Sequence, residues 1–260
     1  MRYEVTAGVA RVTIDRPGRH NALTWPLVAR LRQRVADAAA DAGVRVVVLA
    51  GAGDRAFCAG ADLAGMASSV AGSEGPLGPS DVLGLHQARG GLAELFVDLW
   101  SLGKPTIARV QGYALAGGFG LALACDFVVA ADDAQFGTPE IDVGLWPFMA
   151  TVPLVRSMPP KKALELMLTG RRVGAEEAER IGFVNQVVPP GDLDAAVDEL
   201  AAVLASKPAG MVKLGRDSFY AVWDQAAGDA LAQLHPLLTL ATLTDEAREG
   251  LNRFWGDRRS

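Results

Sequence analysis

The stretch GYALAGGFGLALACD, residues 112–126, carries no nucleophile and meets no charge until its last position. Any chemistry it does must therefore come from the backbone. A helix N-terminus presents unpaired N–H groups and a partial positive charge. Gly117 and Gly118, which lack Cβ atoms, would let a ligand approach such groups closely. That arrangement suits an oxyanion, such as a carbonyl that becomes an enolate, and one preorganised donor can supply about 3–4 kcal/mol of transition-state stabilisation. The same glycines also suit close helix packing, and the motif alone leaves both readings open. A second stretch of the same character is AFCAGADL, residues 56–63, where Gly60 and Ala61 would offer another backbone N–H in a tight turn.

Gly51, Gly53 and Ala56 fit a relaxed G-x-G-x-x-A dinucleotide fingerprint. That match lies in mid-chain, and DRAFCAGADL makes a poor helix after it, so nicotinamide binding is the weaker reading. His20, His86 and His235 are too scattered for a metal site, and no Cys/His pair has ligand spacing. No G-x-S-x-G element supports a serine hydrolase. Cys58 and Cys125 read as small core residues.

The elements that must position these turns can be read along the chain. EVTAGVARVTID alternates as a β-hairpin around Ala7-Gly8. Thr24 is a candidate N-cap, with Pro26 just inside a helix over LVARLRQRVADAAAD. VRVVVLAG is a continuous apolar run, the mark of a strand buried on both faces. A Gly/Ser/Pro stretch over 66–80 reads as a mobile loop. Next come a helix with a glycine interruption, a strand in KPTIARVQG, a helix over 117–125, a strand in DFVVAAD and an extended AQFGTPEIDVGL. From Pro159 the chain is predominantly helical, with three amphipathic helices over 192–255 after the break at Pro189-Pro190-Gly191. Strand–helix alternation with short links indicates α/β architecture. The strand–strand–helix unit recurs loosely, without a fixed period.

At 260 residues, half of them hydrophobic, the chain suits one large α/β domain, or one domain with an appendage. A formal charge of −5 and a pI near 5.3 argue against nucleic acid or an anionic membrane as partner. Two cysteines give no disulfide framework, which points to a reducing cytoplasm. The N-terminus, with Glu4, is not a signal peptide. The apolar stretch between Arg109 and Asp126 falls short of the roughly 20 residues of a spanning helix.

RPGRHNAL (16–23), AFCAGADL (56–63), KPTIARVQGYALAGGFGLALACD (104–126), AQFGTPEI (134–141) and LTGRRVGAEEAERIGFVNQVV (168–188) occur in order, over nearly the whole chain. In sequence and spacing they resemble the crotonase (enoyl-CoA hydratase/isomerase) family. The resemblance implies an α/β fold, a spiral of β-β-α units over residues 1–190, with a helical C-terminal trimerisation region over 191–260. It implies homotrimers or homohexamers, an acyl-CoA thioester as substrate, and no cofactor beyond the coenzyme A of that substrate. The enolate donors would be the N–H groups of Ala61 and Gly117. Coenzyme A would lie against Ala22 and along Ala59, Gly60, Ala61, Asp62 and Leu63. Arg16, Arg19 and Arg55 are candidate phosphate contacts, with solvated surface arginines as the plainer reading. The 66–80 loop would be a lid over the acyl chain or simply surface.

Hydratases of this family resemble one another in holding a water between two glutamates. Glu140, in GTPEI, matches one; the plainer reading makes it a surface or capping acid. The other glutamate would stand where this chain has Gly120. Asp126, six positions later on the helix at about 100° per residue, falls on the opposite face. Asp142 is better placed: if 140–142 is extended, it shares a side with Glu140 at roughly 7 Å. Asp62 reads as a local turn cap. Where the family usually has a glycine-rich PGxGG, this chain reads WPFMAT, so Phe148 and Met149 would make the pocket bulkier and drier. A single carboxylate can still move a proton from C2 to C4 of a 3-enoyl thioester, and family isomerases with a lone glutamate at this position resemble the pattern. Burial near Trp146 and Phe148 would raise its pKa toward neutrality. The alternatives are hydration using Asp142 or an oriented water, and an inactive acyl-CoA-binding protein.

Overall fold

The computed structural model describes residues 1–62 and 79–257. Leu63 and most of the 66–80 stretch, with the lid expectation attached to it, lie outside them.

β1 (Arg2–Thr6) and β2 (Val9–Ile14) form the expected hairpin, with Thr6 opposite Val9. Its two turn residues are both left-handed, Ala7 at φ 49° and Gly8 at φ 79°, the backbone that matches strand twist in two-residue hairpins. Thr24 occupies the N-cap position of α1 (Trp25–Ala40) in extended backbone, although its hydroxyl makes no capping bond. Leu27, Val28, Leu31, Val35 and Ala38 recur at helical spacing and are buried.

β3 (Val46–Gly51) is buried throughout. Because strand side chains alternate, Val47 and Leu49 enter the main core while Val46 and Val48 enter a second layer with Leu193, Ala196, Val197 and Ala201. Those four residues belong to α7 (Leu193–Ala205). Both faces of the strand are thus covered, which explains its uninterrupted apolar run.

The loose strand–strand–helix recurrence has a geometric meaning. The first strand of each unit joins a six-stranded sheet ordered β1-β2-β3-β5-β7-β10, and the second joins a four-stranded sheet ordered β4-β6-β8-β9. The units are β3, β4 (Ala56–Cys58) and α2 (Pro79–Trp100); then β5 (Thr106–Val110), β6 (Tyr113–Leu115) and α3 (Gly117–Leu123). β7 (Phe127–Ala131) and β8 (Gln135–Gly137) follow, leading through a 3-10 turn (Pro139–Val143) into α4 (Phe148–Ser157). Strands β2, β3, β5, β7 and β10 (Gln186–Val188) run parallel, while β9 (Arg172–Gly174) is antiparallel to β8.

Several expectations are corrected. α2 runs unbroken through Gly90 and Gly91, its far half anchored by the buried Leu92, Leu95, Phe96 and Leu99. The stretch 134–145 is extended only as far as Gly137. Pro139 then sits at the start of the 3-10 turn, which ends at the left-handed Gly144 (φ 73°), a proline-in, glycine-out pattern. Four helices follow residue 192 rather than three: α7, α8 (Ala209–Val222), α9 (Ala227–Thr242) and α10 (Asp245–Asp257). α5 (Pro160–Thr169) and α6 (Ala175–Ile181) precede them.

α8 docks on the core through a polar cluster. Asp126 accepts bonds from Arg216 Nε (2.8 Å), the Tyr220 hydroxyl (2.5 Å) and the Thr106 backbone N–H (2.7 Å). Burial and the neighbouring carboxylate push the Tyr220 phenol well above its ordinary pKa. Asp126 therefore serves as an internal tie for the C-terminal helices. Among the described residues no helix is long and apolar enough to cross a membrane.

Candidate active site

The turn after β4 is pinned on both sides of Ala61. Leu23 N–H donates to the Gly60 carbonyl (2.7 Å), Asp62 N–H to the Leu23 carbonyl (2.9 Å) and Ala59 N–H to the His20 carbonyl (3.0 Å). The Ala61 N–H points away from this ladder and has no acceptor among the described residues. Gly60 makes the turn at φ +86°, a conformation open to glycine at little steric cost.

The second turn joins β6 to α3 through Ala116, at φ 54° and ψ −130°. For a residue bearing a Cβ this is strained backbone, costing on the order of 1–3 kcal/mol. It is held by the Ala116 N–H on the Gly137 carbonyl (2.8 Å), while the Ala116 carbonyl accepts from Phe119 and Gly120 (3.0 and 3.1 Å). Gly117, the first helical residue, keeps its N–H without an acceptor among the described residues. The two turns are in contact: a Cβ on Gly60 would stand 2.6 Å from Ala116 Cβ and 3.1 Å from Gly117 N. A Cβ on Gly118 would stand 2.1 Å from the Cys58 carbonyl oxygen. Both readings of this glycine pair therefore hold, Gly118 for close packing and Gly117 for an exposed donor.

Glu140 is delivered by β8, whose Gly137 pairs with Leu115. It lies in the 3-10 turn, half-buried, with Oε2 fully enclosed and unpartnered. Burial pushes its pKa up, opposed by a bond to its own backbone N–H. Thr138, two residues earlier, is completely buried, and its hydroxyl also has no partner.

Among the described residues neither Gly120 nor Asp142 sets a second acid beside Glu140. On a 3-10 turn two residues are separated by about 240°, so Asp142 does not share a side with Glu140. It is exposed, and a Cβ on Gly170 would lie 3.0 Å from both its carboxylate oxygens. The Gly120 position is filled by packing: a Cβ there would lie 3.1 Å from Ala150 Cα and Cβ and from Phe96 Cζ. Phe148 is 71 % exposed and Met149 40 %, against the expectation that they form a dry wall there. Trp146 is half-buried against the main core.

Of the remaining candidates, Ala22 is buried, Ala59 and Asp62 are half-buried and Leu63 is undescribed. Arg16 is not a free phosphate contact. Its guanidinium donates to Asp62 Oδ2 (2.9 Å) and to the Ala22 carbonyl (2.5 Å), so it is a strut between two segments of the site. Sequence reading missed that role, since nothing local marks a partner 46 positions away. Arg19 and Arg55 are exposed. The Gly51–Ala56 fingerprint leads directly into the strand β4 rather than into a helix, and a Cβ on Gly51 would meet the Phe57 carbonyl oxygen at 2.4 Å; these glycines serve packing. Among the described residues no three His, Cys, Asp or Glu side chains converge as a metal ion would require.

The chain is similar to known proteins over nearly its whole length. Residues 4–260 match the family model described as enoyl-CoA hydratase/isomerase. A crotonyl-CoA hydratase of Syntrophomonas wolfei is 32% identical over 256 residues, covering 97% of this chain and 93% of its own length. The carnitinyl-CoA dehydratase of Escherichia coli is 39% identical over 199 residues, covering 76% of this chain and 71% of its own. The crystal structure of an enoyl-CoA hydratase from Mycobacterium smegmatis superposes with a TM-score of 0.90 at 31% identity, covering 98% of this chain and 96% of that one.

Proposed function

Since the chain belongs to the enoyl-CoA hydratase/isomerase family, we propose that it binds an acyl-CoA thioester and uses Glu140 alone to move a proton on an enolate held by the N–H groups of Ala61 and Gly117. Glu140 takes a proton from C2 of a 3-enoyl thioester. The electron pair delocalises onto the carbonyl oxygen and C4, and the two N–H groups stabilise the charge that develops on that oxygen. The protonated Glu140 then returns the proton to C4, giving the 2-enoyl isomer. A carboxyl with a pKa raised by burial is a stronger base than an ordinary glutamate and a better match to both transfers near neutral pH. Coenzyme A lies along Ala22 and Ala59–Leu63 in this reading.

The observation that carries it is the packing at Gly120, where Ala150 and Phe96 stand 3.1 Å from the position of a first side-chain carbon and crowd the root of any second acid. Hydration is the second reading, favoured by relatives named as a crotonyl-CoA hydratase and a carnitinyl-CoA dehydratase; Glu140 would then have to orient the water by itself. We also propose assembly into homotrimers or homohexamers, supported by the apolar side chains that α9 and α10 leave exposed, among them Leu231, Leu238, Leu251, Phe254 and Trp255.

Incubation with a 2-enoyl-CoA in D2O, read by mass spectrometry, separates the readings. Deuterium incorporation without added water, lost in Glu140→Gln, supports isomerisation. Gain of a whole water establishes hydration and overturns the single-acid reading. An unchanged substrate together with tight acyl-CoA binding means that the protein binds without turnover.

A further inference from the structure

Asn21 is fully buried and left-handed, at φ 55°, directly after His20 at φ 48°. Two consecutive residues bearing a Cβ in this region are uncommon, although asparagine tolerates it better than most. Both ends of the Asn21 amide engage backbone. Oδ1 accepts the Arg16 N–H (2.9 Å), while Nδ2 donates to the carbonyls of Ala52 (3.0 Å) and Ala56 (2.7 Å). The Asn21 N–H in turn donates to the Arg16 carbonyl (3.0 Å), so residues 16–21 close into a ring. Only one orientation of the amide meets an N–H on one side and two carbonyls on the other. A Cβ on Gly51 would stand 2.7 Å from Nδ2, so the missing side chain of Gly51 leaves room for the amide.

The same segment holds the donor turn. The carbonyl of His20, one residue earlier, accepts the Ala59 N–H, and Leu23, two residues later, bonds to both Gly60 and Asp62. The Asn21 side chain thus fixes the segment at the entry of β4, on Ala56, while its neighbours grip the exit of β4 on both sides of Ala61. The left-handed pair gives the chain the sharp turn needed to reach both ends of a strand only three residues long.

We propose that Asn21 is a positioning residue for the Ala61 donor: its amide sets residues 16–23 against β4, and that placement aims the Ala61 N–H at the thioester oxygen. The proposal rests on the reading of Ala61 as an enolate donor and holds for proton transfer and hydration alike. Gln111 supplies the contrast. Its Nε2 donates to the carbonyls of Gly51 (2.7 Å) and Gly53 (2.9 Å), with Ala56 at 3.5 Å. It clasps the same β3–β4 turn, yet among the described residues none of its side-chain bonds reaches residues 16–23.

The test binds butanoyl-CoA, isotopically labelled at the thioester carbonyl, to the full chain as wild type, Asn21→Gly, Asn21→Ser and Gln111→Ala. This saturated thioester can neither isomerise nor add water. Infrared difference spectra read its carbonyl stretch, which hydrogen bonds to the oxygen move to lower frequency. Asn21→Gly keeps the left-handed backbone and removes the amide. It is expected to lose part of the wild-type shift, since Gly117 still donates. Its kcat with 3-hexenoyl-CoA or 2-hexenoyl-CoA should fall at least about tenfold, by more than KM rises; where neither is turned over, the spectrum decides. Gln111→Ala should melt below wild type and keep the full shift. If the glycine variant fails to fold, Asn21→Ser, whose short hydroxyl cannot span both carbonyls, gives the same contrast. Failure of both to fold would make Asn21 a core residue alone and overturn the proposal. A full shift with wild-type kcat in a folded Asn21 variant overturns it too, as does an equal loss of shift in Gln111→Ala. A wild type that leaves the carbonyl stretch unmoved, or does not bind butanoyl-CoA, overturns it together with the donor reading beneath it.

Discussion

The backbone N–H of Ala116 donates to the carbonyl of Gly137 at 2.8 Å, and this bond joins the turn that exposes the Gly117 N–H to the strand that ends three residues before Glu140. Ala116 adopts its strained backbone at this junction. The proposed donor and the proposed proton carrier are thus tied to the edges of paired strands β6 and β8 rather than to free loops, which is how a site is held to sub-ångström tolerance.

Gly60→Ala should separate the two donor turns. A Cβ there needs φ +86° and would stand 2.6 Å from Ala116 Cβ and 2.9 Å from the Leu115 carbonyl oxygen. Strain and overpacking together are expected to cost about 2–4 kcal/mol. A melting curve should show that loss, and steady-state turnover should fall by more than the remaining folded fraction explains. Wild-type stability and activity would contradict the contact between the turns.

Gly120→Glu should not create a two-acid hydratase. The added side chain meets Ala150 and Phe96 at 3.1 Å from its first carbon, on a helix face fully enclosed in the core. The expected result is a destabilisation of about 3 kcal/mol or more, from overpacking and a buried charge, with no gain of water addition in the D2O assay. A stable variant that hydrates would show that the pocket reaches residue 120.

How far the chain could be read in advance follows from the range of the interactions involved. The hairpin and β3 were legible because their signals are local: valines at alternate positions, and an apolar run packed on both faces. Gly60 and Gly117 were legible as turn residues, yet their contact joins segments far apart in sequence. The placement of Asp142 went wrong although Pro139 and Gly144 bracket the turn as a helical start and stop do. β9 and β10, at three residues each, are too short for a periodic signal and exist through their pairing with β8 and β7. Arg16 is the clearest case of tertiary information: its arginine character suggests an anion, but only the fold shows that the anion is Asp62.

Arg16→Ala should loosen the Ala61 turn without unfolding the protein. The substitution removes a bond to Asp62 and one to the Ala22 carbonyl, and hydrogen bonds to charged groups contribute about 1.5–3 kcal/mol when shielded. Because the arginine side chain is 30% exposed, solvent screening brings the expected stability loss below that range, to about 1 kcal/mol. Both flanks of the Ala61 donor are affected, so kcat/KM should drop at least tenfold, with Arg16→Lys recovering part of it. A variant with unchanged kinetics would show that the Leu23 ladder alone fixes the turn.

Glu140→Gln should stabilise the protein in a pH-dependent way as well as abolish proton transfer. Burial raises the Glu140 pKa in the folded state above its ordinary value of 4.5. Between that value and the raised one the folded chain holds a proton that the unfolded chain has released. Stability therefore falls as pH rises through that window, and the penalty is fully present above it. Glutamine has no charge to desolvate, so the variant's melting temperature relative to wild type should rise from pH 4 to pH 7.5. Melting curves of both proteins across that range test this directly. A difference independent of pH would mean that Glu140 ionises in the folded protein as it does in water, and that burial does not tune it for proton transfer.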